Sequence, residues 1–118
     1  MRKILICGSR DYDYDNYDKM EKIVRDFLNS DTIIIQGGAP GADTLAGLIA
    51  KNNGVHCAQV DALWNKFGEQ AGPLRNAAML ALEPEIVFAF YTDKLKSKGT
   101  ANMVKQAKEA GIRVVENE

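Results

Sequence analysis

The sequence predicts an α/β fold in which one parallel sheet lies between two layers of helices, and three features carry that prediction. Five short apolar runs alternate with four stretches whose apolar residues recur at helical spacing. Ile4-Leu5-Ile6, Ile33-Ile34-Ile35 and Ile86-Val87-Phe88 are unbroken apolar triplets, as strands covered on both faces require. Gly54, Pro84 and Gly111 fall where three of the helical stretches should stop.

Taken in order, the first run is Lys3–Cys7, and it passes directly into Gly8-Ser9-Arg10. Tyr17, Met20, Val24, Phe27 and Leu28 then form an apolar helical stripe. The acidic-aromatic run from Asp11 to Asp18 before it puts favourable negative charge at that helix's start. As a calcium loop the run fails, because Asn16 stands where the sharp turn needs glycine and Lys22 where a bidentate glutamate belongs. Asp11 and Tyr12 remain candidates for the rim of a pocket. The second run, Thr32–Gln36, leads through Gly37-Gly38-Ala39-Pro40-Gly41-Ala42-Asp43 into a helix marked by Leu45, Leu48 and Ile49. His56 and Gln59 interrupt the third run, Val55–Val60, which therefore reads as a sheet edge. A third helix is assigned from Leu74, Ala78, Ala81 and Leu82, with Arg75 and Asn76 in its first turn. The fourth run, Glu85–Tyr91, is followed by a polar loop, Gly99-Thr100, and a helix carrying Val104, Ala107 and Ala110. Arg113 breaks the last run, Ile112–Glu116, and marks the other edge.

Strict alternation with right-handed crossovers and those two edges gives a five-stranded sheet of order 3-2-1-4-5, a Rossmann-like three-layer sandwich. No repeat, linker or low-complexity tract divides it, so residues 1–118 are expected to form one domain.

Composition narrows the function classes. Fifteen Lys and Arg against 16 Asp and Glu leave a net charge of −1, without the basic excess of a protein that wraps a polyanion. Nucleic acid is thus an unfavoured partner, whereas a single phosphate needs only a few local donors. With 46% hydrophobic and 26% charged residues, the chain is a globular rather than a disordered one. Cys7 and Cys57 both sit in apolar runs and read as reduced core thiols. One histidine and two scattered cysteines supply no metal-ligand spacing, and no cofactor fingerprint is present. No apolar stretch is long enough for a signal sequence or a membrane span, which leads to the expectation of a cytoplasmic protein.

In a sheet of this order, ligands sit beyond the carboxyl ends of the strands where the winding reverses. Gly8-Ser9-Arg10, the loop Gly37–Asp43 and Gly99-Thr100 all converge there. Glycines permit close backbone approach, and helix N-terminal amides favour an anion. Taken singly, Gly37-Gly38 could be a turn and Thr100 a helix cap. The loops match neither the phosphate-binding loop of the kinases, which needs Gly-Lys-[Ser/Thr], nor the dinucleotide fingerprint Gly-x-Gly-x-x-Gly. Arg75 at a helix start opposes the local dipole, so an anionic ligand or a salt bridge to Asp43 or Asp61 should explain it. Trp64 could stack on a base or cover the edge of the core.

Gly8-Ser9-Arg10, Gly37-Gly38-Ala39-x-Gly41-Ala42-Asp43, Trp64, Gly68, Ala71-Gly72-Pro73-x-Arg75-Asn76, Met79 and Gly99-Thr100-Ala101 together resemble the YspA-like branch of the SLOG superfamily. The likeness runs in order along nearly the whole chain. It implies a Rossmann-like fold that binds a nucleotide or nucleotide-derived ligand, in a superfamily that includes cytokinin-activating phosphoribohydrolases and the DNA-processing protein A family. The phosphoribohydrolases carry Pro-Gly-Gly-x-Gly-Thr-x-x-Glu with a catalytic Glu. Here Gly99-Thr100 is preceded by Lys96-Ser97-Lys98, and Met103 stands at the Glu position. Homodimers are common among such relatives, and a homodimer is the corresponding expectation.

The leading expectation is a module that senses or sequesters a nucleotide derivative through Gly8, Ser9, Arg10, Gly37, Gly38, Ala39, Gly41, Ala42, Asp43, Trp64, Arg75, Asn76, Gly99 and Thr100. The alternative is an N-glycoside hydrolase, with Asp43 as the carboxylate facing the oxocarbenium-like ribose and Arg75 assisting. Asp11, Asp61 and Glu69 are further carboxylates in reach of such a site. Binding of single-stranded DNA rests only on Lys94, Lys96, Lys98, Lys105 and Lys108, a basic cluster otherwise read as solvated surface.

Overall fold

Residues 1–118 are described by a computed structural model, in which five parallel strands are ordered β3-β2-β1-β4-β5. They are β1 (Arg2–Gly8), β2 (Thr32–Gln36), β3 (His56–Gln59), β4 (Ile86–Phe90) and β5 (Arg113–Asn117). The helices are α1 (Tyr17–Val24), α2 (Ala42–Asn52), the single turn α3 (Trp64–Phe67), α4 (Ala71–Leu80) and α5 (Lys98–Glu109). The Rossmann-like topology expected from the sequence is the one observed. β1 is central, with Ile4 opposite Ile34 on one side and Ile86 on the other.

Alternation along the strands divides the core into two layers. Ile4, Ile6, Ile34, Ile86, Phe88 and Phe90 point to the face covered by α1 and α2. Leu5, Cys7, Ile35, Val87, Ala89 and Tyr91 point to the opposite face, where Met79 of α4 and Met103 and Val104 of α5 meet them. Complete burial of each large side chain stabilises the fold by roughly 1.5–3 kcal/mol. Phe27 closes the first layer edge-on against Phe88, with ring centroids 5.2 Å apart.

Helix ends follow the sequence signals. Gly54 and Gly111, just past α2 and α5, take φ of 65° and 75°, the left-handed conformation that a helix C-terminus favours. At the carboxyl edge of the sheet, crowding dictates two more glycines. A Cβ on Gly8 would lie 2.7 Å from the Cβ of Ala42 and 3.0 Å from the carbonyl carbon of Phe90. Gly41, the residue before α2, has φ 84° and presses against the carbonyl groups of Ser9 and Arg10. The amide of Ala42 donates to Ser9 O at 3.1 Å, which locks the start of α2 onto the end of β1.

Three expectations need correction. The face of the third helix is inverted: α4 buries Ala71, Gly72, Asn76 and Met79, while Leu74, Ala78, Ala81 and Leu82 face outward. Small residues let α4 lie close to its neighbours, and Asn76 fixes its rotation by donating to Gly99 O and Asn102 Oδ1, both at 3.1 Å. Apolarity alone misidentified the inner side. Ala110 is likewise exposed, because α5 has ended at Glu109. Cys57 is not a core thiol but lies exposed on the edge strand β3.

Candidate functional site

The carboxyl ends of β1 and β4, the corner before α2, and the first turns of α4 and α5 enclose a cleft of about 590 Å³. Gly8, Ser9, Arg10, Ala39, Asp43 and Trp64 form one side of it. Arg75, Asn76, Gly99 and Thr100 form the other. Gly37 and Gly38 instead line an adjoining groove of about 280 Å³. Gly41 and Ala42 line neither space; they are packing residues behind the cleft wall.

Ser9 sits at the floor, 4% exposed, with its hydroxyl fully engaged. It accepts from Thr92 N at 3.0 Å and lies 2.7 Å from Ser97 Oγ. Ser97 Oγ donates its one proton to Asp93 O at 2.9 Å, so Ser9 is the donor between the two hydroxyls. This relay ties the loop between β4 and α5 to the end of β1. Ser97, not Thr100, holds the residue position before α5, and Thr100 is buried within the first turn. Thr92 and Ser97 were missed as site residues, although a serine immediately before an apolar helical stripe is itself a start signal.

Arg75 does not occupy the first turn. α4 begins at Ala71, four residues earlier than Arg75, so a conflict with the helix dipole does not account for it. Nor does it pair with Asp43 or Asp61. Its Nη1 donates to Gly37 O at 2.6 Å and its Nε to Asn76 Oδ1 at 3.1 Å. Gly37 is glycine for the same reason: a Cβ there would lie 2.8 Å from the guanidinium carbon of Arg75 and 3.0 Å from Asp43 Oδ2. The amide of Asn76 is spent between α4 and α5, so its contribution to the cleft is mainly to hold Gly99 in place.

Asp43 is 6% exposed, and its Oδ2 accepts from Ala39 N at 3.1 Å, pinning the Gly37–Gly41 corner back onto α2. Burial pushes its carboxyl above the ordinary range, opposed by the Ala39 and Gly37 amides and by the charges of Arg75 and Arg10. A raised carboxyl makes the folded state bind more protons than the unfolded one between the ordinary and the raised value. Stability therefore falls as pH rises through that window and stays lower above it. Asp43→Asn keeps an acceptor for Ala39 N without the buried charge, so its melting temperature should exceed that of the parent at pH 7 and the difference should vanish near pH 3. Asp43→Ala, with no acceptor, should instead lie about 1 kcal/mol below Asp43→Asn at every pH. Thermal melts from pH 3 to 8 distinguish the three proteins. Burial also raises the Cys7 thiol, with Asp43 adding to the effect, so the sulfur at the cleft floor is a neutral apolar surface.

Trp64 neither covers the core edge nor is buried: it is 48% exposed and stands between the cleft and the groove. The guanidinium of Arg10 lies 5.8 Å from its ring centroid. A Cβ on Gly72 would come within 3.3 Å of the indole, so that glycine leaves the ring its seat. Asp11 reaches the rim and accepts from the Thr92 hydroxyl, whereas Tyr12 turns inward against Phe90 with its hydroxyl unpartnered. Glu69 lines the cleft and Asp61 the groove.

No helix is long and apolar enough to cross a membrane. Residues 2–67, more than half of the chain, match the model of the YspA, cpYpsA-related SLOG family. The chain is 30% identical over 122 residues to the Gene 61 protein of Mycobacterium phage D29, covering 98% of this chain and 95% of the phage protein. In three dimensions it is similar to DNA processing protein A (DprA) from Streptococcus pneumoniae, with a TM-score of 0.80 at 21% identity. That superposition covers 98% of this chain but 50% of the DprA chain, so the likeness is one of fold over half of that protein. The extent of the family match and the end-to-end relationship to the phage protein lead to one assignment: the chain belongs to the YspA, cpYpsA-related SLOG family.

Proposed function

We propose that the chain binds a nucleotide or nucleotide-derived phosphate in the cleft and acts as a sensor or sequestering module. The observation that carries this reading is the state of Arg10 and Arg75. Both line the cleft, and neither has a carboxylate within ion-pair distance. Guanidinium groups without an ion-pair partner in a concave site suit a phosphate, with Nη2 of Arg75 left for it because Nη1 and Nε are held by Gly37 O and Asn76 Oδ1. Asp11 and Asp93, the nearby acids, are occupied by Thr92 and by the amide of Leu95. The first turn of α5 presents amides to the same space, and the exposed indole of Trp64 offers a stacking face beside it.

A small molecule is favoured over nucleic acid by the distribution of lysines. Lys94 and Lys108 pair with Glu116, and Lys96 with Asp93, so little of the basic cluster is free to track a backbone. N-glycoside hydrolysis is the second reading, and one observation favours it: Asp43 is a desolvated carboxylate in the cleft wall, the setting in which acid–base groups are tuned. Native mass spectrometry after incubation with a pooled nucleotide library separates the two. A retained nucleotide mass without new product supports the binding module. Release of free base that Asp43→Asn abolishes would assign hydrolysis, and absence of any adduct or product overturns both readings.

A further inference from the structure

The apolar stripe that faces outward from α4 has no partner within the chain. Leu74 and Leu82 are 45% and 41% exposed, and Ala77, Ala78 and Ala81 between them are exposed as well. No charged side chain interrupts this face. Arg75 is the one charged residue from Ala71 to Leu82, and its guanidinium is drawn to Gly37 O. The other helices show solvent the charges that surface helices ordinarily carry: Lys19 and Lys22 on α1, Lys51 on α2, Lys105 and Lys108 on α5. A helix that is apolar all round belongs in an interior, and α4 has one on a single side. The turn α3 touches α4 and adds exposed Leu63 and Phe67. Together these side chains show on the order of 500 Å² of surface, toward the upper end of what a monomer leaves bare and more than half of the roughly 800 Å² each partner gives to a standard interface.

Spacing and the lack of charge decide what covers the stripe. Leu74, Ala78 and Leu82 follow one another at four-residue intervals, along one ridge of the helix. Ala78 is the midpoint. Where an identical helix crosses there in the antiparallel sense, Leu74 meets the partner's Leu82 at one end and Leu82 meets the partner's Leu74 at the other. The alanines let the two backbones approach at the crossing, and the leucines close its ends. A two-fold interface also sets each patch against its own copy, which a charged patch resists and a neutral one does not. We propose that α4 packs on α4 of a second copy of this chain, antiparallel and crossing at Ala78, to form a homodimer. Each cleft lies at the first turn of its α4, so the pair carries its clefts at opposite ends. Face and orientation are thereby fixed, where the sequence predicts only a homodimer, and neither depends on what the cleft binds.

The test is sedimentation velocity of the intact chain over a range of micromolar concentrations, with Ala78→Arg and Ala81→Arg beside the parent. The parent is expected to sediment as a dimer of two 13.0 kDa chains. Ala78→Arg sets two like charges against each other at the two-fold axis and should weaken association by about 100-fold or more. Both alanines are exposed, so the variants should keep the far-UV circular dichroism of the parent. Lys105→Glu, on the outer face of α5, is the control and should stay dimeric. A second measurement needs no loss of association. In a Cys57→Ser background, Ala78→Cys should form a disulfide between copies on mild oxidation, because a residue at a two-fold axis meets itself, and Lys105→Cys should not. A parent that is monomeric throughout overturns the proposal, as does an assembly that both arginine variants leave intact. Absence of the Ala78→Cys disulfide overturns the crossing at Ala78. Nucleotide binding in the cleft is read separately and stands or falls on its own.

Discussion

Gly8→Ala is expected to cost the fold 3 kcal/mol or more (about the upper range for overpacking). The reason is geometric rather than conformational. Gly8 ends β1 between Phe90 of β4 and the first residue of α2, and the added methyl would stand 2.7 Å from the Cβ of Ala42 and 3.0 Å from the Phe90 carbonyl carbon. Both neighbours are anchored. Phe90 O accepts from Ser9 N at 2.9 Å, and Ala42 N donates to Ser9 O at 3.1 Å, so relief on either side breaks the joint between sheet and helix. Against a total stability of roughly 5–15 kcal/mol, a loss of this size should lower the melting temperature by more than about 10 °C. Gly99→Ala is the control. A Cβ there meets nothing within 4 Å and sits in the first turn of α5, so this variant should match or slightly exceed the parent in a thermal melt. If Gly8→Ala melts within a few degrees of the parent, the tight junction of β1, β4 and α2 is wrong.

Arg75→Ala should abolish most phosphate binding, lowering affinity for AMP by about 10–100-fold, as expected for losing hydrogen bonds to a charged group. The variant also loses the bond to Gly37 O, at a cost to stability of about 1 kcal/mol. Binding and folding are therefore read separately, by calorimetry and by urea denaturation. Arg75→Lys restores the charge but not the fork that reaches Gly37 O and Asn76 Oδ1 together, so it should recover only part of the affinity. A purely structural Arg75 would give the opposite pattern, with stability reduced and AMP affinity unchanged. That result would move the phosphate site away from α4.

How much of this was legible in advance depends on the range of the forces involved. Strand order followed from apolar triplets and interrupted edge runs, because burial on two faces leaves a mark in every residue of a short strand. The convergence of Ser9, Arg10, Asp43 and Thr100 on one edge followed from topology alone, since consecutive crossovers of one hand leave few places for those loops to go. Helix rotation was not legible in α4. Its polar Asn76 is inward and Leu74 is outward, because two hydrogen bonds to the start of α5 outweigh the burial of Leu74. No periodicity in a single helix reports a contact to another segment.

The same limit applies to the arginine. Sequence placed Arg75 beside a helix start, but Gly37 O is 38 residues away and only folding brings them together. Division of the glycines into those that line a space and those that let backbones touch is also a tertiary result. Gly41 packs against backbone behind the cleft wall, Gly8 does so while also lining the cleft, and Gly37 and Gly38 border the groove with side chains of Arg75 and Gln59 close by. By itself the sequence determined the sheet, its edges, the family and the sheet edge on which the glycine-bearing loops converge, because local pattern and chain connectivity carry those. Only the tertiary structure decided which side chains face the cleft, which amides are already spent and where Asp61 lies, because those follow from contacts between residues distant along the chain.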